Sequence, residues 1–312
     1  MRAVVLDRYG PADLLAVSGR SVPQPGPTEV RVRVVAAGVN PVDWKTRAGG
    51  GVAGVLGHPP VVLGWDVAGV VDALGTGVTR FGLGDRVLGM PRFPHQAGGY
   101  AEFVTGPSRH FARIPDGVGF EQAAALPLAG LTAWQCLVDV AQVRPGQRVL
   151  VHAAAGGVGH LAAQIALSRG CYVIGTASSA KHRLLGSLGL HEAINYRGTA
   201  FEKVVEPVDV VLDLVGGDVT LRSLDALRPE GLLISLHPSS SQDAVALAPH
   251  RARRAVGMMV EPDGHALEAL AELVRTRHLK VLVEESFPLE RAAEAHKVGE
   301  RGGTTGKLVL TV

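Results

Sequence analysis

Residues 149–159, Val-Leu-Val-His-Ala-Ala-Ala-Gly-Gly-Val-Gly, pass from a short apolar run into a glycine turn, and a further apolar stretch continues to Ser168. Residues 149–153 have the length of a buried strand, and residues 158–168 read as a helix closed by Gly170. The turn between them, Ala154-Ala155-Gly156-Gly157-Val158-Gly159, keeps the spacing of the dinucleotide fingerprint G-x-G-x-x-G, with alanine for its first glycine. In that geometry Gly156 lets the backbone approach a pyrophosphate and Gly159 lets helix and strand pack closely. No acidic residue follows in the first helical turn to repel a phosphate. A plain strand-to-helix turn would use the same glycines for their backbone angles alone, but the strand before and the helix after favour an anion site.

A second apolar run, 172–176, leads to Ser178-Ser179-Ala180-Lys181-His182-Arg183. An NAD-specific site places Asp or Glu there, on the ribose 2′-hydroxyl. Hydroxyls and cations without a carboxylate suit a 2′-phosphate instead, so the local charge favours NADP over NAD. Ser178 or Ser179 is also a fitting N-cap for the next helix, with Lys181 as solvated surface.

Further along the chain, a helix over 180–188 closed by Gly189 leads to Ala193 and Ile194, and strands are expected at 208–215 and 232–236 with a Leu-spaced helix at 221–227. Strands and helices alternating at these lengths predict an α/β fold, a doubly wound parallel sheet covered on both faces. Upstream, to about Glu121, the chain is Val-rich and punctuated by glycine and proline, with alternation at 29–35 and short apolar runs at 67–71, 86–90 and 100–104. That half reads as a mostly-β barrel or sandwich. An Ala/Leu-rich helical stretch over 121–140, interrupted at Pro127 and Gly130, marks the change. The expected domains are 1–121, 122–260 and 261–312; in the last, a helix near 266–276 and a closing strand at 307–312 could rejoin either half.

At 312 residues the chain has room for about two domains of roughly 150 residues. With 46% hydrophobic residues and a mean hydropathy of +0.20 it can bury a core, which excludes wholesale disorder. The balance of 31 Lys+Arg against 29 Asp+Glu, and a basic cluster limited to Arg251, Arg253 and Arg254 without aromatic neighbours, argue against nucleic acid as a partner. Two cysteines, Cys136 and Cys171, cannot build a disulfide framework. The N-terminus meets Asp7 and Arg8 too soon for a signal peptide, so a cytoplasmic protein is expected. Residues 149–168 carry no formal charge, but His152, His160, Gln164 and the glycine cluster argue against a membrane span.

Several chemistries lack their residues. No H-E-x-x-H or C-x-x-C pattern offers a zinc site, so no metal is expected. No tyrosine is followed four residues on by lysine: the partners of Tyr9, Tyr100, Tyr172 and Tyr196 are Asp13, Val104, Thr176 and Ala200. That removes the short-chain reductase pair, and the absence of G-x-S-x-G removes the usual serine hydrolase signal.

Over nearly its whole length the sequence resembles the zinc-independent quinone oxidoreductase branch of the medium-chain dehydrogenases and reductases. The resemblance is carried by Gly38-Val39-Asn40-Pro41-Val42-Asp43, Leu63-Gly64-Trp65-Asp66-Val67-Ala68-Gly69, Gly84-Asp85-Arg86-Val87, Gly98-Gly99-Tyr100-Ala101-Glu102, Gly130-Leu131-Thr132-Ala133, the glycine turn, Ile194-Asn195-Tyr196-Arg197 and Gly306-Lys307. It implies a GroES-like catalytic domain, a Rossmann domain, and a C-terminal segment returning to the catalytic domain. It also implies NADP as cofactor. The turn residues Ala155, Gly156, Gly157 and Val158 would then face the pyrophosphate, and Ser178, Ser179, Lys181 and Tyr196 the 2′-phosphate, with Leu236 also in the cofactor site. Asn40 and Thr132 would lie near the nicotinamide.

The family's zinc-dependent alcohol dehydrogenases have cysteine at the position of Asn40 and a His-Glu pair at that of Trp65-Asp66; this chain lacks both. Where several quinone reductases carry tyrosine two residues after N-P-V-D, Lys45 stands here, as in relatives that act on α,β-unsaturated carbonyls. The resemblance therefore implies an NADPH-dependent oxidoreductase acting on a small-molecule quinone or enone. Asn40 and Lys45 are candidate donors to the substrate oxygen, with Asp43 holding Lys45. Structural roles compete: Asn40-Pro41 opens a turn, and Asp43 suits a helix N-cap. The rival readings are a stand-alone enoyl reductase of a polyketide or fatty-acid pathway, a non-catalytic NADPH-binding protein, and a methyltransferase with a similar turn. Relatives are often dimers, so a homodimer is the assembly the resemblance points to.

Overall fold

The computed structural model describes residues 1–312 and divides into two units, one of Met1–Leu131, Glu261–Arg277 and Val281–Val312, the other of Thr132–Val260 with His278–Lys280. Residues 122–131, expected in the second domain, group with the first. The reason is close packing and a buried bond: a Cβ on Gly130 would meet Leu126 Cδ1 at 2.9 Å and Leu270 Cδ1 at 3.1 Å, and the Leu128 amide donates to Asp66 Oδ1 at 2.7 Å.

The first unit is built on the strand Glu29–Val39, whose alternate valines Val30, Val32 and Val34 are buried. It pairs antiparallel with Asp66–Leu74, with Phe103–Pro107 and with Lys307–Thr311, so the closing strand rejoins the N-terminal half. The full sheet has seven strands, and a smaller one joins Arg2–Leu6, Leu15–Gly19 and Val61–Val62. One expected strand shifts: 100–104 is paired only from Phe103, because Tyr100 and Ala101 are drawn toward the N-terminal strand by the Val4 amide and an isolated bridge to Ala3. The stretch 121–140 breaks at Pro127, giving helices Phe120–Ala124 and Pro127–Trp134, the second continuing as a π-helix over Gln135–Val140. It does not break at Gly130, where the missing Cβ is a packing need and not a turn.

The second unit holds a six-stranded, wholly parallel sheet in the order Glu192–Asn195, Tyr172–Ala177, Arg148–Val151, Val208–Asp213, Leu227–Ser235, Arg254–Gly257. This is the 3-2-1-4-5-6 order of a Rossmann fold, which reverses direction of winding beside Arg148–Val151 and there opens a crevice at the strand C-termini. The helix Gly159–Ser168 follows its strand, and Gly170 takes φ +77° as the residue that closes it. The helix expected over 180–188 is shorter: a 3-10 turn Ser179–Lys181 precedes His182–Ser187. No helix is long and apolar enough to cross a membrane.

Candidate active site

The glycine turn supplies unclaimed donors. The amides of Gly157, Val158 and Gly159 find no carbonyl acceptor, and the helix that follows has no acid in its first turn. Glycine is compulsory at 159, where a Cβ would fall 2.2 Å from the Ala153 carbonyl oxygen, whereas at 156 the same carbonyl stands at 3.2 Å. Gly156, Gly157 and Val158 are half-buried and Ala155 is buried, so the residues present fit a pyrophosphate approached through backbone amides.

One strand away, Ala177 pairs with Asn195, and the Tyr196 amide donates to the Ala177 carbonyl at 3.4 Å, which brings Tyr196 beside Ser178. Ser178 occupies the N-cap position of the turn that follows without making a side-chain capping bond, so its hydroxyl keeps its valence. Ser179 is exposed and Lys181 half-buried; Tyr196 is 54% exposed, and the Arg197 guanidinium lies 5.8 Å from its ring centroid. Arg197 brings a further cation to this tip; its place in the Ile194–Arg197 motif was the available signal. Leu236 leaves its strand with its amide on the Asp213 carbonyl, at the C-terminal edge that also carries Thr176 and His152. Thr132 is buried at the first residue of this unit.

In the first unit, Asn40, Asp43, Asp66, Tyr100 and Lys307 form a buried polar cluster. Asn40 caps the helix Pro41–Arg47: the Asp43 amide donates to its carbonyl at 2.9 Å, and Asp43 Oδ2 accepts the Asn40 amide at 2.6 Å. Asp43 is thus the reciprocal carboxylate of the cap and not its first residue. Because the cap is closed through backbone and carboxylate, the Asn40 side chain is released for other partners. Its Nδ2 donates to Asp66 Oδ2 at 2.8 Å, and its Oδ1 accepts from Lys307 Nζ. Lys307 also donates to the Val39 carbonyl at 3.0 Å and stands 3.6 Å from Asp66 Oδ2.

The electrostatics follow from burial. Desolvation pushes the Asp66 carboxyl up and the Lys307 ammonium down, each opposed by the other's charge. The Asp43 carboxyl is pushed up to about 7, first by burial and further by Asp66. Its Oδ1 has no hydrogen-bond partner, although the Tyr100 hydroxyl lies nearby; that hydroxyl meets His296 Nε2 at 3.2 Å.

Lys45 corrects an expectation. It is exposed on the helix, while Asp43 is fully buried and committed to Asn40, so Asp43 does not hold Lys45; residues two apart on a helix do not face each other. Asp66, Tyr100 and Lys307 were legible as family motifs, but their convergence depends on pairing Lys307–Thr311 with Glu29–Val39, which no local pattern announces. At Trp65 the indole donates to the His95 carbonyl at 2.8 Å and packs edge-on to Phe93. The positions that resemblance assigns to zinc ligands therefore hold an amide engaged with Asp66 and Lys307, a buried indole and a carboxylate facing an ammonium, a donor set that does not fit a catalytic zinc.

Residues 26–116 match the family described as alcohol dehydrogenase GroES-like domain, and residues 188–310 the one described as zinc-binding dehydrogenase. A 2-haloacrylate reductase from Burkholderia is 34% identical over 99% of this chain and 98% of its own. The quinone oxidoreductase of Coxiella burnetii superposes with a TM-score of 0.95 at 38% identity, covering 100% of this chain and 99% of that one. The Escherichia coli quinone oxidoreductase, solved in complex with NADPH, superposes with a TM-score of 0.90 at 28% identity over 100% of both chains. With the Rossmann strand order, the glycine turn and the GroES-like half in one chain, the protein belongs to the medium-chain dehydrogenase/reductase superfamily of oxidoreductases, in its quinone oxidoreductase branch.

Proposed function

We propose that this chain is a zinc-independent reductase that uses NADPH to reduce a quinone or an α,β-unsaturated carbonyl. The observation that carries the cofactor choice is the tip of Tyr172–Ala177. There Ser178, Ser179, Lys181, Tyr196 and Arg197 gather hydroxyls and cations without a carboxylate, which suits the two negative charges of a 2′-phosphate. The open amides of Gly157, Val158 and Gly159 would hold the pyrophosphate, with Ala155, Gly156 and Leu236 lining the path. Thr132, the first residue of the second unit, would border the nicotinamide. The bound cofactor supplies a hydride to an electron-poor carbon of the substrate.

As that carbon is reduced, negative charge grows on the substrate oxygen, and a preorganised donor lowers the barrier most. Lys45 is exposed and uncommitted, so it is the cation available for that role. Asn40 has its Oδ1 and one amide hydrogen engaged within the buried cluster, which leaves one hydrogen for a ligand and fixes its direction. Asp66 and Lys307 position Asn40 in this reading. The absence of a metal ligand set at Asn40, Trp65 and Asp66, with an ammonium in the cluster, supports chemistry without zinc.

The test is oxidation of NADPH and NADH in parallel against paired quinone and enone substrates. Turnover with NADPH and one substrate class is the expected result. Binding of NADPH without turnover on any of them would make the chain a non-catalytic nucleotide binder.

A further inference from the structure

His152 lies directly after the strand Arg148–Val151 and is 1% exposed. Both ring nitrogens are engaged: Nδ1 meets Thr176 Oγ1 at 3.0 Å, and Nε2 meets Ser223 Oγ at 3.0 Å. The direction of these bonds can be worked out, because each hydroxyl has one proton to give. Ser223 donates its proton to the Val219 carbonyl at 2.6 Å, so its oxygen can only accept from the ring, which puts the imidazole proton on Nε2. Nδ1 is then bare and accepts from the Thr176 hydroxyl, whose oxygen in turn accepts the Ala153 amide at 3.3 Å. The opposite tautomer would leave the buried Thr176 hydroxyl proton without an acceptor and break the short Ser223 bond.

This chain of bonds ends on a strained residue. Ala153 takes φ +48°, the left-handed region that a residue with a Cβ rarely adopts. In that conformation its carbonyl accepts the Gly156 amide at 2.9 Å and lies against Gly159. The Ala154 amide is tied to the Thr176 carbonyl at 3.0 Å. The start of the glycine turn is therefore pinned from the neighbouring strand and, through Ser223, from the helix Asp218–Ala226. We propose that His152 is a positioning residue of the dinucleotide turn: a neutral imidazole with its proton on Nε2 that holds Ala153 left-handed and so aims the amides of Gly157, Val158 and Gly159. The ring packs edge-on to Phe201, and the charged groups facing it are Asp213 and Arg222. Burial holds it neutral, pushed down to about 4.

The proposal rests on the reading of that turn as a nucleotide site, and two measurements separate the two claims. Nitrogen NMR of histidine-labelled protein between pH 8 and pH 5 should show one ring in the neutral Nε2–H tautomer throughout, assigned by its loss in His152→Asn. An Nδ1–H tautomer, or titration of that ring near the ordinary value, would overturn the proposal whatever the cofactor. Kinetically, His152→Phe removes both bonds and should raise the KM for NADPH and NADH alike by about tenfold or more, while kcat changes far less. His152→Asn, whose side-chain oxygen can still accept from Thr176, should recover most of that loss. Should His152→Phe fail to fold, Thr176→Val is expected to raise KM in the same way and Thr176→Ser to leave it unchanged. Unchanged KM in folded His152→Phe or Thr176→Val protein would overturn the positioning role. If wild-type protein uses neither nucleotide, the functional reading fails, and the tautomer still decides whether the relay exists.

Discussion

The two units solve the problem of placing polar groups in opposite ways. In the first, Asp43, Asp66 and Lys307 bring ionisable groups into the core and, with the Asn40 amide, satisfy most of them against each other. In the second, the glycine turn leaves backbone amides open, and the tip of Tyr172–Ala177 presents the Ser178 hydroxyl and the exposed Tyr196. A closed cluster fixes geometry and is costly to damage; an open one has free valences for a ligand and is cheap to alter. Damage should therefore appear as lost stability in the first unit and as lost cofactor affinity in the second.

The largest effect is expected at Lys307. Lys307→Met leaves Asp66 buried without its cation and should cost about 3–5 kcal/mol in urea unfolding. The double variant Asp66→Asn with Lys307→Met should recover most of that, because the charge left behind causes the loss. Equal losses in the single and double variants would show that the cluster is held by packing instead.

Next comes Gly159→Ala, whose Cβ would sit 2.2 Å from the Ala153 carbonyl oxygen and force the turn apart, costing about 1–3 kcal/mol of stability and most nucleotide binding. A variant that binds NADPH normally would contradict the close approach of helix and strand. A smaller, selective effect is expected from Lys181→Glu, which puts a negative charge at the proposed 2′-phosphate site and should weaken NADPH by about tenfold while leaving NADH nearly unchanged. Equal loss for both nucleotides would remove Lys181 from that role.

The most gradual prediction concerns pH. Burial pushes His152 down to about 4 and His296 to about 3, so the unfolded chain takes up those protons first. Their contribution is complete above an unfolded value near 6.5 and is lost as pH falls toward the folded values, for His152 on the order of 3 kcal/mol. Asp43 runs the other way. With its carboxyl raised from 3.8 to about 7, its contribution is full below 3.8 and is lost as pH rises through 7. Melting temperatures across this range should fall on the acid side with a slope that flattens in His152→Asn; an unchanged slope would show that His152 does not titrate with unfolding.

Local patterns carried much of the fold. The alternation at Val30, Val32 and Val34 and the strand-turn-helix around Gly156 follow from residues a few positions apart. The tip proposed for the cofactor was legible for the same reason, since Ser178 to Lys181 is one short segment and Tyr196 directly follows the next strand, Glu192–Asn195. The buried cluster was not, because Lys307 lies 267 residues from Asn40 and meets it only through strand pairing. The pairing of Asp43 with Lys45 failed because a helix turns the two side chains to different faces, one into the core and one to solvent. The strand Arg254–Gly257 and the helix Ala292–Glu300 also escaped, the first short and half-exposed, the second carrying small residues in place of a leucine stripe.

Calorimetric titration of the wild-type protein with NADPH and with NADH tests the account most directly. Tighter binding of NADPH by about tenfold or more is the predicted result. Equal affinity, or a preference for NADH, would contradict the assignment of Ser178, Lys181 and Tyr196 to a 2′-phosphate and with it the proposed reductase.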